Sequence, residues 1–202
     1  MQIASFSRRR VRTTPLNSAW RTARVGPKEC QPGALCRRHD HIAFVIIDRP
    51  LVATEWAMIG TFVRRSERDD LYHRFGCPFD SQDDRTLHRF FDIESGAGET
   101  IWSIDNKGEI SGIGHCMKLS PSKAEIGLII RSDLKQHGLG EALLKEMLAR
   151  SARQGINLLK ACVLRENRTA LLLTRKFGFA LRESSGAAIS LTVELFLELG
   201  VS

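Results

Sequence analysis

The chain has 202 residues, 43% hydrophobic and 26% charged, which is enough apolar sequence for one compact domain with a buried core. Its longest apolar run, residues 42–47, is far too short to cross a bilayer. The net charge of +7 is carried by the N terminus: residues 1–38 hold nine basic side chains and one acidic one, and the rest of the chain holds 21 and 22. The body is therefore near neutral, which argues against nucleic acid or a membrane as its partner.

Residues 1–40 are predicted to form a basic, disordered tail, because they lack any helical or strand period and contain Pro15, Pro27 and Pro32. The tail also suggests a transit peptide, a polyanion-binding arm or a start codon set too far upstream. The Ser-Arg-Arg at residues 7–9 is followed by no apolar segment, so export is not expected.

The five cysteines are scattered through the chain and do not suggest a disulfide framework, so a reducing cytoplasm is predicted. One cluster has the residue types of a zinc site, but its two cysteines are spaced more widely than zinc ligands usually are. No metal is predicted. The cluster consists of Cys30, Cys36, His39 and His41.

Residues 41–60 are left as a strand or linker, and a domain is predicted over residues 61–202. A helix over residues 62–76 ends at Gly76, just before Pro78. The other predicted elements are a short helix at 83–91, strands at 100–106, 109–119 and 122–131, a helix from 140 to about 155, a strand at 156–164, a helix at 167–178 and a strand at 189–199.

The strand at 122–131 alternates, so that its two faces differ in chemistry. One face contains Ala124, Ile126, Leu128 and Ile130, and the other contains Glu125, Gly127, Ile129 and Arg131.

Gly138 and Gly140 lie where the longest amphipathic helix begins, although glycine destabilises helices. The first turn of a helix has unpaired N–H groups and a partial positive charge, and glycines let a phosphate approach them. An ordinary tight turn is the alternative. A dinucleotide fold would need a third glycine where Leu143 stands, and a P-loop would need Gly-Lys-Ser/Thr.

The order of these elements resembles that of the GNAT superfamily of acyl-CoA N-acyltransferases: a strand, a Gly-x-Gly turn, a helix, a second strand and a helix that begins with Asn. "KQHGLGEALL" resembles the family's pyrophosphate loop, and "VLRENRTALLLTRKFGF" resembles its pantetheine-binding segment. The resemblance covers roughly residues 61–199 and is closest to the acetyltransferase domain of bacterial protein lysine acetyltransferases.

This resemblance implies an α+β (α/β) fold with a mixed, mostly antiparallel sheet flanked by helices and a V-shaped splay between the strands at 123–131 and 156–164. Acetyl-CoA would be the co-substrate. Glu125 would be the general base, and Gly127 would leave room for the acceptor. The cofactor-binding residues would be Leu128, Ile129, Ile130, Lys135, Gln136, His137, Gly138, Leu139, Gly140 and Asn167. Two alternatives remain: Glu125 as a solvated edge carboxylate or a salt-bridge partner, and Asn167 as a plain helix cap.

Two positions depart from the family pattern. Lys135 stands where the loop usually begins with Gln or Arg, and Thr174 stands where many members place a tyrosine acid. The lysine-acetyltransferase group also lacks that tyrosine. Cys116 and Cys162 are expected to pack as small apolar residues rather than act as nucleophiles.

The predicted activity is acetyl transfer from acetyl-CoA to a primary amine, a protein lysine or a small molecule, by direct attack. A non-catalytic acyl-CoA sensor of the same fold is the alternative, and a third hypothesis assigns the function to the basic tail. A monomer or a homodimer is equally compatible with the sequence.

Overall fold

The computed structural model describes residues 44–47, 56–77, 91, 98–182 and 190–197. The predicted tail, the possible zinc cluster and all but Phe91 of the predicted helix at 83–91 lie outside these ranges. The described elements are, in order, β1 (Phe44–Ile47), α1 (Trp56–Arg64), α2 (Arg68–Phe75), β2 (Gly98–Asp105), β3 (Ile110–Ser120), β4 (Lys123–Ile130), α3 (Leu139–Arg153), β5 (Leu158–Leu164), α4 (Arg168–Lys176), β6 (Ala180–Arg182) and β7 (Ser190–Phe196).

The seven described strands form one sheet in the order β1-β2-β3-β4-β5-β7-β6. Every neighbouring pair is antiparallel except β4 and β5, which are parallel. This confirms the predicted mixed, mostly antiparallel sheet. The β2–β3 turn contains Gly108 at φ 79°, a left-handed conformation that suits glycine, as the Lys107-Gly108 hairpin signal predicts.

The sheet is covered on both faces, each with its own apolar core. Helix α3 packs on one face, where Leu143 and Leu159 are fully buried. Helices α1 and α2 pack on the other, where Phe62, Leu71 and Trp102 are buried. The alternation of β4 is confirmed, because Ala124 and Ile126 belong to the α3 core and Ile129 to the α1–α2 core.

The helix predicted over residues 62–76 is wrong in extent. The chain instead forms α1 and α2, which are separated at residues 65–67. The N–H of Glu67 donates to Ser132 Oγ at 2.7 Å, so a tertiary contact occupies the break. Gly76 does end α2, in a left-handed conformation at φ 69°.

Strands β1 and β6 lie where the sequence pattern is weak. Residues 44–47 belong to the segment predicted as a strand or a linker, and they pair with β2 at the edge of the sheet. Residues 180–182 pair with β7 at the other edge. Short edge strands owe their place to the neighbour they pair with, which local sequence does not reveal.

A buried ion network connects the β2–β3 hairpin to the segment that leads into α3. Arg131 follows β4, and its side chain is only 3% exposed. Its guanidinium donates to Asp105 at 2.9 Å and to Asp133 at 2.7 Å, and it also pairs with Glu109 at 3.2 Å. Arg65, which directly follows α1, pairs with Glu109 and Asp133 on the solvent side of the network. The network therefore holds the start of the glycine segment against the sheet.

Candidate acyl-CoA and acceptor site

The parallel strands β4 and β5 separate along their length. They pair only over residues 123–125 and 158–160, and Glu125 opposite Lys160 is the last pair. Beyond this point the edge of β4 that faces β5 has main-chain groups without a strand partner. A cleft therefore opens toward the C-terminal ends of both strands, as predicted. An extended chain could pair with β4 there as an added strand does.

The glycine segment lies at the open end of this cleft. Gly138 is the N-cap of α3, adopts φ 80°, and no side chain caps the helix. A Cβ on Gly140 would lie 3.7 Å from Ile130, 3.7 Å from Leu173 of α4 and 3.9 Å from Leu128. The first turn of α3 thus begins between β4 and α4, with its N–H groups available to an anion.

Backbone conformation explains why residue 138 is glycine, but it does not explain glycine at residue 140. Gly138 needs its left-handed backbone, and nothing lies within 4 Å of its Cβ position. Gly140 has an ordinary helical conformation, and a Cβ there would make only normal van der Waals contacts. Close packing therefore does not require glycine at either position. For Gly140, the remaining explanation is a ligand that approaches the bare main chain.

The side chains of the loop contribute less than its main chain. Lys135 pairs with Asp70 of α2. Gln136, at φ 64°, and His137 are exposed. Leu139 is buried in the core, so only its amide faces the helix end. The structure thus places the predicted residues 135–140 together at one end of the cleft.

Asn167 is the N-cap of α4, where its Oδ1 accepts a hydrogen bond from the N–H of Ala170 at 3.0 Å. The side chain therefore caps the helix, as the sequence predicts, and its NH2 remains able to donate to a ligand. Thr174 is buried, and its hydroxyl donates to the carbonyl of Leu171 at 3.0 Å. Because that proton is already engaged inside the helix, Thr174 does not replace the missing tyrosine.

Glu125 lies at the closed end of the cleft, on the α1–α2 face, and its side chain is exposed. Its register partner Lys160 pairs with Glu194 of β7 at 3.3 Å, and Arg182 of β6 pairs with the same carboxylate at 3.0 Å. Glu125 thus begins a row of alternating charges across the sheet.

A feature that the sequence analysis missed lies beside Glu125. The guanidinium of Arg74, from α2, covers Gly127, so that a Cβ on Gly127 would lie 2.2 Å from Nη2. Nη2 contacts His115 Nδ1 at 3.1 Å, and His115 is the register partner of Gly127 on β3. The space that Gly127 provides is therefore filled by Arg74 rather than left empty for the acceptor.

Burial and the neighbouring charges shift both groups of this pair. Burial lowers the pKa of Arg74 to about 10, although the Glu125 carboxylate acts in the opposite sense. Burial and the Arg74 charge lower the pKa of His115 to about 3, so the imidazole is neutral near pH 7. The pattern of α2 marks Arg74 only as one charge among several, so sequence offered no signal for this contact.

Cys116 and Cys162 do not lie together, and only Cys116 packs as a small apolar residue, as the sequence predicts for both. Cys116 belongs to the α3 face, opposite Glu125, and lies 3.5 Å from Ser151 Oγ. Burial raises the pKa of its thiol, which disfavours the reactive thiolate. Cys162 is exposed on the separated part of β5. Within the described ranges, no group of three or more His, Cys, Asp or Glu side chains could hold a metal ion, and no helix there is long and apolar enough to span a membrane.

Residues 61–179 match the Acetyltransferase (GNAT) family. The chain belongs to this family, whose members use acetyl-CoA. The fold is therefore that of a GNAT domain.

Solved structures share the fold at low identity. The GNAT domain of S. lividans PAT is 18% identical, with a TM-score of 0.68 over 76% of this chain and 90% of that one. The spermidine N-acetyltransferase of Vibrio cholerae, solved with CoA and spermine, is 16% identical, with a TM-score of 0.62 over 75% and 95%. A GCN5-related N-acetyltransferase of Kribbella flavida is 18% identical, with a TM-score of 0.61 over 75% and 98%.

Proposed function

We propose that the protein transfers an acetyl group from acetyl-CoA to a primary amine. The observation that carries this proposal is the alignment of three features along one cleft. The uncapped N terminus of α3 lies at its open end, the unpaired edge of β4 runs along it, and Glu125 stands where it closes. Family membership supports the same activity.

The three features follow one another along the cleft in the same order as the diphosphate, the pantetheine arm and the thioester of acetyl-CoA. The amides of residues 138–140 would bind the diphosphate, because the helix end offers N–H donors and positive potential. The main chain of residues 128–130 would pair with the pantetheine amides, and the NH2 of Asn167 would donate from the opposite wall. The thioester would then reach the closed end, near Glu125.

Glu125 is proposed as the general base. A lysine-type amine has a pKa of about 10.4, so near pH 7 it is protonated and cannot attack. The Glu125 carboxylate accepts that proton, directly or through a water, and the freed nitrogen lone pair forms the C–N bond as the C–S bond breaks. Main-chain N–H groups near Ile129 would stabilise the charge on the carbonyl oxygen.

The sulfur leaves as a thiolate and takes its proton from solvent, while the second proton of the nitrogen is released when the amide forms. A thiol with a pKa near 8.5 needs little help to leave, so the engaged hydroxyl of Thr174 is no obstacle. The products are the N-acetyl amine and free CoA.

The experiment is to incubate the full chain with acetyl-CoA and a panel of lysine peptides, polyamines and amino acids, and to measure the free thiol. Thiol release that depends on an acceptor supports the enzyme. Tight acetyl-CoA binding without release for any acceptor would favour the sensor instead. Removing residues 1–38 and measuring salt-dependent binding to nucleic acid and anionic vesicles tests the role of the basic tail.

A further inference from the structure

Arg74 is a partly enclosed cation that no carboxylate neutralises at contact distance within the described part of the chain. Its Nη2 contacts the neutral His115, and its Nε is buried without a hydrogen-bond partner among the described residues. The Phe75 ring lies 5.1 Å from its guanidinium carbon. Burying a charge and leaving a donor unpaired are both unfavourable, so the site is incomplete as it stands.

The surroundings of Arg74 belong to the acceptor side of the cleft. The guanidinium covers Gly127, two residues from Glu125 on the same strand face. The buried hydroxyl of Thr100, which lies opposite His115 on β2, also has no hydrogen-bond partner among the described residues. A basic and an acidic group thus stand side by side, with unsatisfied polar atoms next to them.

We propose that Arg74 binds a carboxylate of the acceptor, so that the acceptor is a small amino acid whose amine faces Glu125. This inference rests on the proposed acetyltransferase function and names its substrate class. Alternate residues of a strand are about 7 Å apart, so one molecule reaches both sites if its amine and carboxylate are only a few bonds apart.

The charges favour a carboxylate over a phosphate and over a polyamine. A planar guanidinium matches the two oxygens of a carboxylate. A phosphate carries nearly two negative charges, so the single charge of Arg74 would leave one of them uncompensated beside Glu125. A polyamine would place a second ammonium beside Arg74, where like charges repel.

The experiment compares amino acids with their primary amides, for example methionine with methioninamide, as acceptors for acetyl-CoA. Each pair keeps the amine and the side chain and loses only the carboxylate charge. A pH series separates this loss from the change in amine basicity. We expect the acids to be preferred in kcat/KM by roughly 10- to 100-fold, the value of a hydrogen bond to a charged group.

Two variants change Arg74 in different ways. Arg74→Gln removes the charge, and Gly127→Ala displaces the guanidinium while leaving it in the chain, because the new methyl would occupy its place. Both should reduce the preference to near one without weakening CoA binding. Arg153→Gln is the control, since Arg153 is exposed on α3 and, among the described residues, pairs only with Glu146. This variant should keep the full preference.

Three results would overturn the inference: equal rates for acids and amides, a preference for polyamines or lysine peptides, or a preference for acids that persists in Arg74→Gln. If no acceptor leads to thiol release, the proposed transferase function is rejected. The carboxylate site is then tested by binding alone. Thermal shifts of the CoA-bound protein should be larger with acids than with amides, and this difference should vanish in Arg74→Gln. Equal or absent shifts would reject the carboxylate site.

Discussion

Glu125 and Lys160 form the last pair of the parallel strands β4 and β5, and the sheet opens immediately after them. The ammonium of Lys160 pairs with Glu194 of β7 at 3.3 Å, on the side away from β4. Glu125 is therefore positioned by the closed end of the cleft, where an acyl group that enters from the open end would arrive.

Replacing Glu125 with Gln should lower kcat by about 10²- to 10⁴-fold, because the amine then loses its proton acceptor. Acetyl-CoA affinity should not change, since Glu125 lies at the closed end of the cleft, away from the helix terminus. The measurement is steady-state thiol release together with CoA titration. Glu99→Gln, an exposed carboxylate on β2, is the matched control. Unchanged kcat in Glu125→Gln would remove this residue from the reaction.

Gly140→Ala should weaken CoA binding without destabilising the protein. The added methyl makes only ordinary contacts at 3.7–3.9 Å, and alanine favours helix by up to about 1 kcal/mol. Gly138→Ala is less informative, because the left-handed backbone at that position disfavours any side chain. The measurements are CoA affinity and the free energy of unfolding. Full affinity in a stable Gly140→Ala protein would contradict diphosphate binding at this turn.

Asn167→Asp should separate the two roles of this residue. Aspartate keeps an oxygen that accepts the Ala170 N–H and so preserves the cap, whereas Asn167→Ala should cost about 0.5–2 kcal/mol. Aspartate lacks the NH2 donor, so CoA should bind more weakly although the unfolding free energy is maintained. Undiminished CoA affinity in Asn167→Asp would show that Asn167 is only a cap.

Arg131→Leu should destabilise the fold by about 3–5 kcal/mol at neutral pH, because it leaves Asp105, whose side chain is 5% exposed, without its cation. Arg153→Gln, at an exposed pair, should cost at most about 1 kcal/mol. Denaturant unfolding of both variants measures the difference. Similarly small effects in both variants would mean that the network contributes little to the free energy of unfolding.

The same network gives a pH dependence. Burial alone would raise the pKa of Asp105, but hydrogen bonds from the Glu109 and Lys107 amides and from Arg131 lower it overall. A carboxyl with a lowered pKa in the folded state stabilises the fold above its unfolded value near 3.9, and this contribution disappears as the pH falls through the folded value. The difference in unfolding free energy between the wild type and Arg131→Leu should therefore become smaller below about pH 4.

Local sequence was sufficient for the elements whose patterns are long and strongly periodic. The amphipathic repeat of α3, the alternation of β4 and the Asn and Gly signals around α4 were all confirmed, because each reflects the burial of one face or the capping of one end. The order of these elements also identified the family. The break between α1 and α2 and the edge strands β1 and β6 depend on distant partners, and the local pattern did not reveal them.

The sequence by itself determined which chain segments could bind a diphosphate and carry a base, because N–H donors at a helix start and a carboxylate on a strand face are local properties. Only the tertiary structure decided what surrounds them. Arg74 and Gly127 are 53 positions apart in the chain, yet the packing of α2 over β4 places the guanidinium on the glycine. Such contacts arise from how helices cover a sheet, so the chemistry of the acceptor side becomes visible only when the chain is folded.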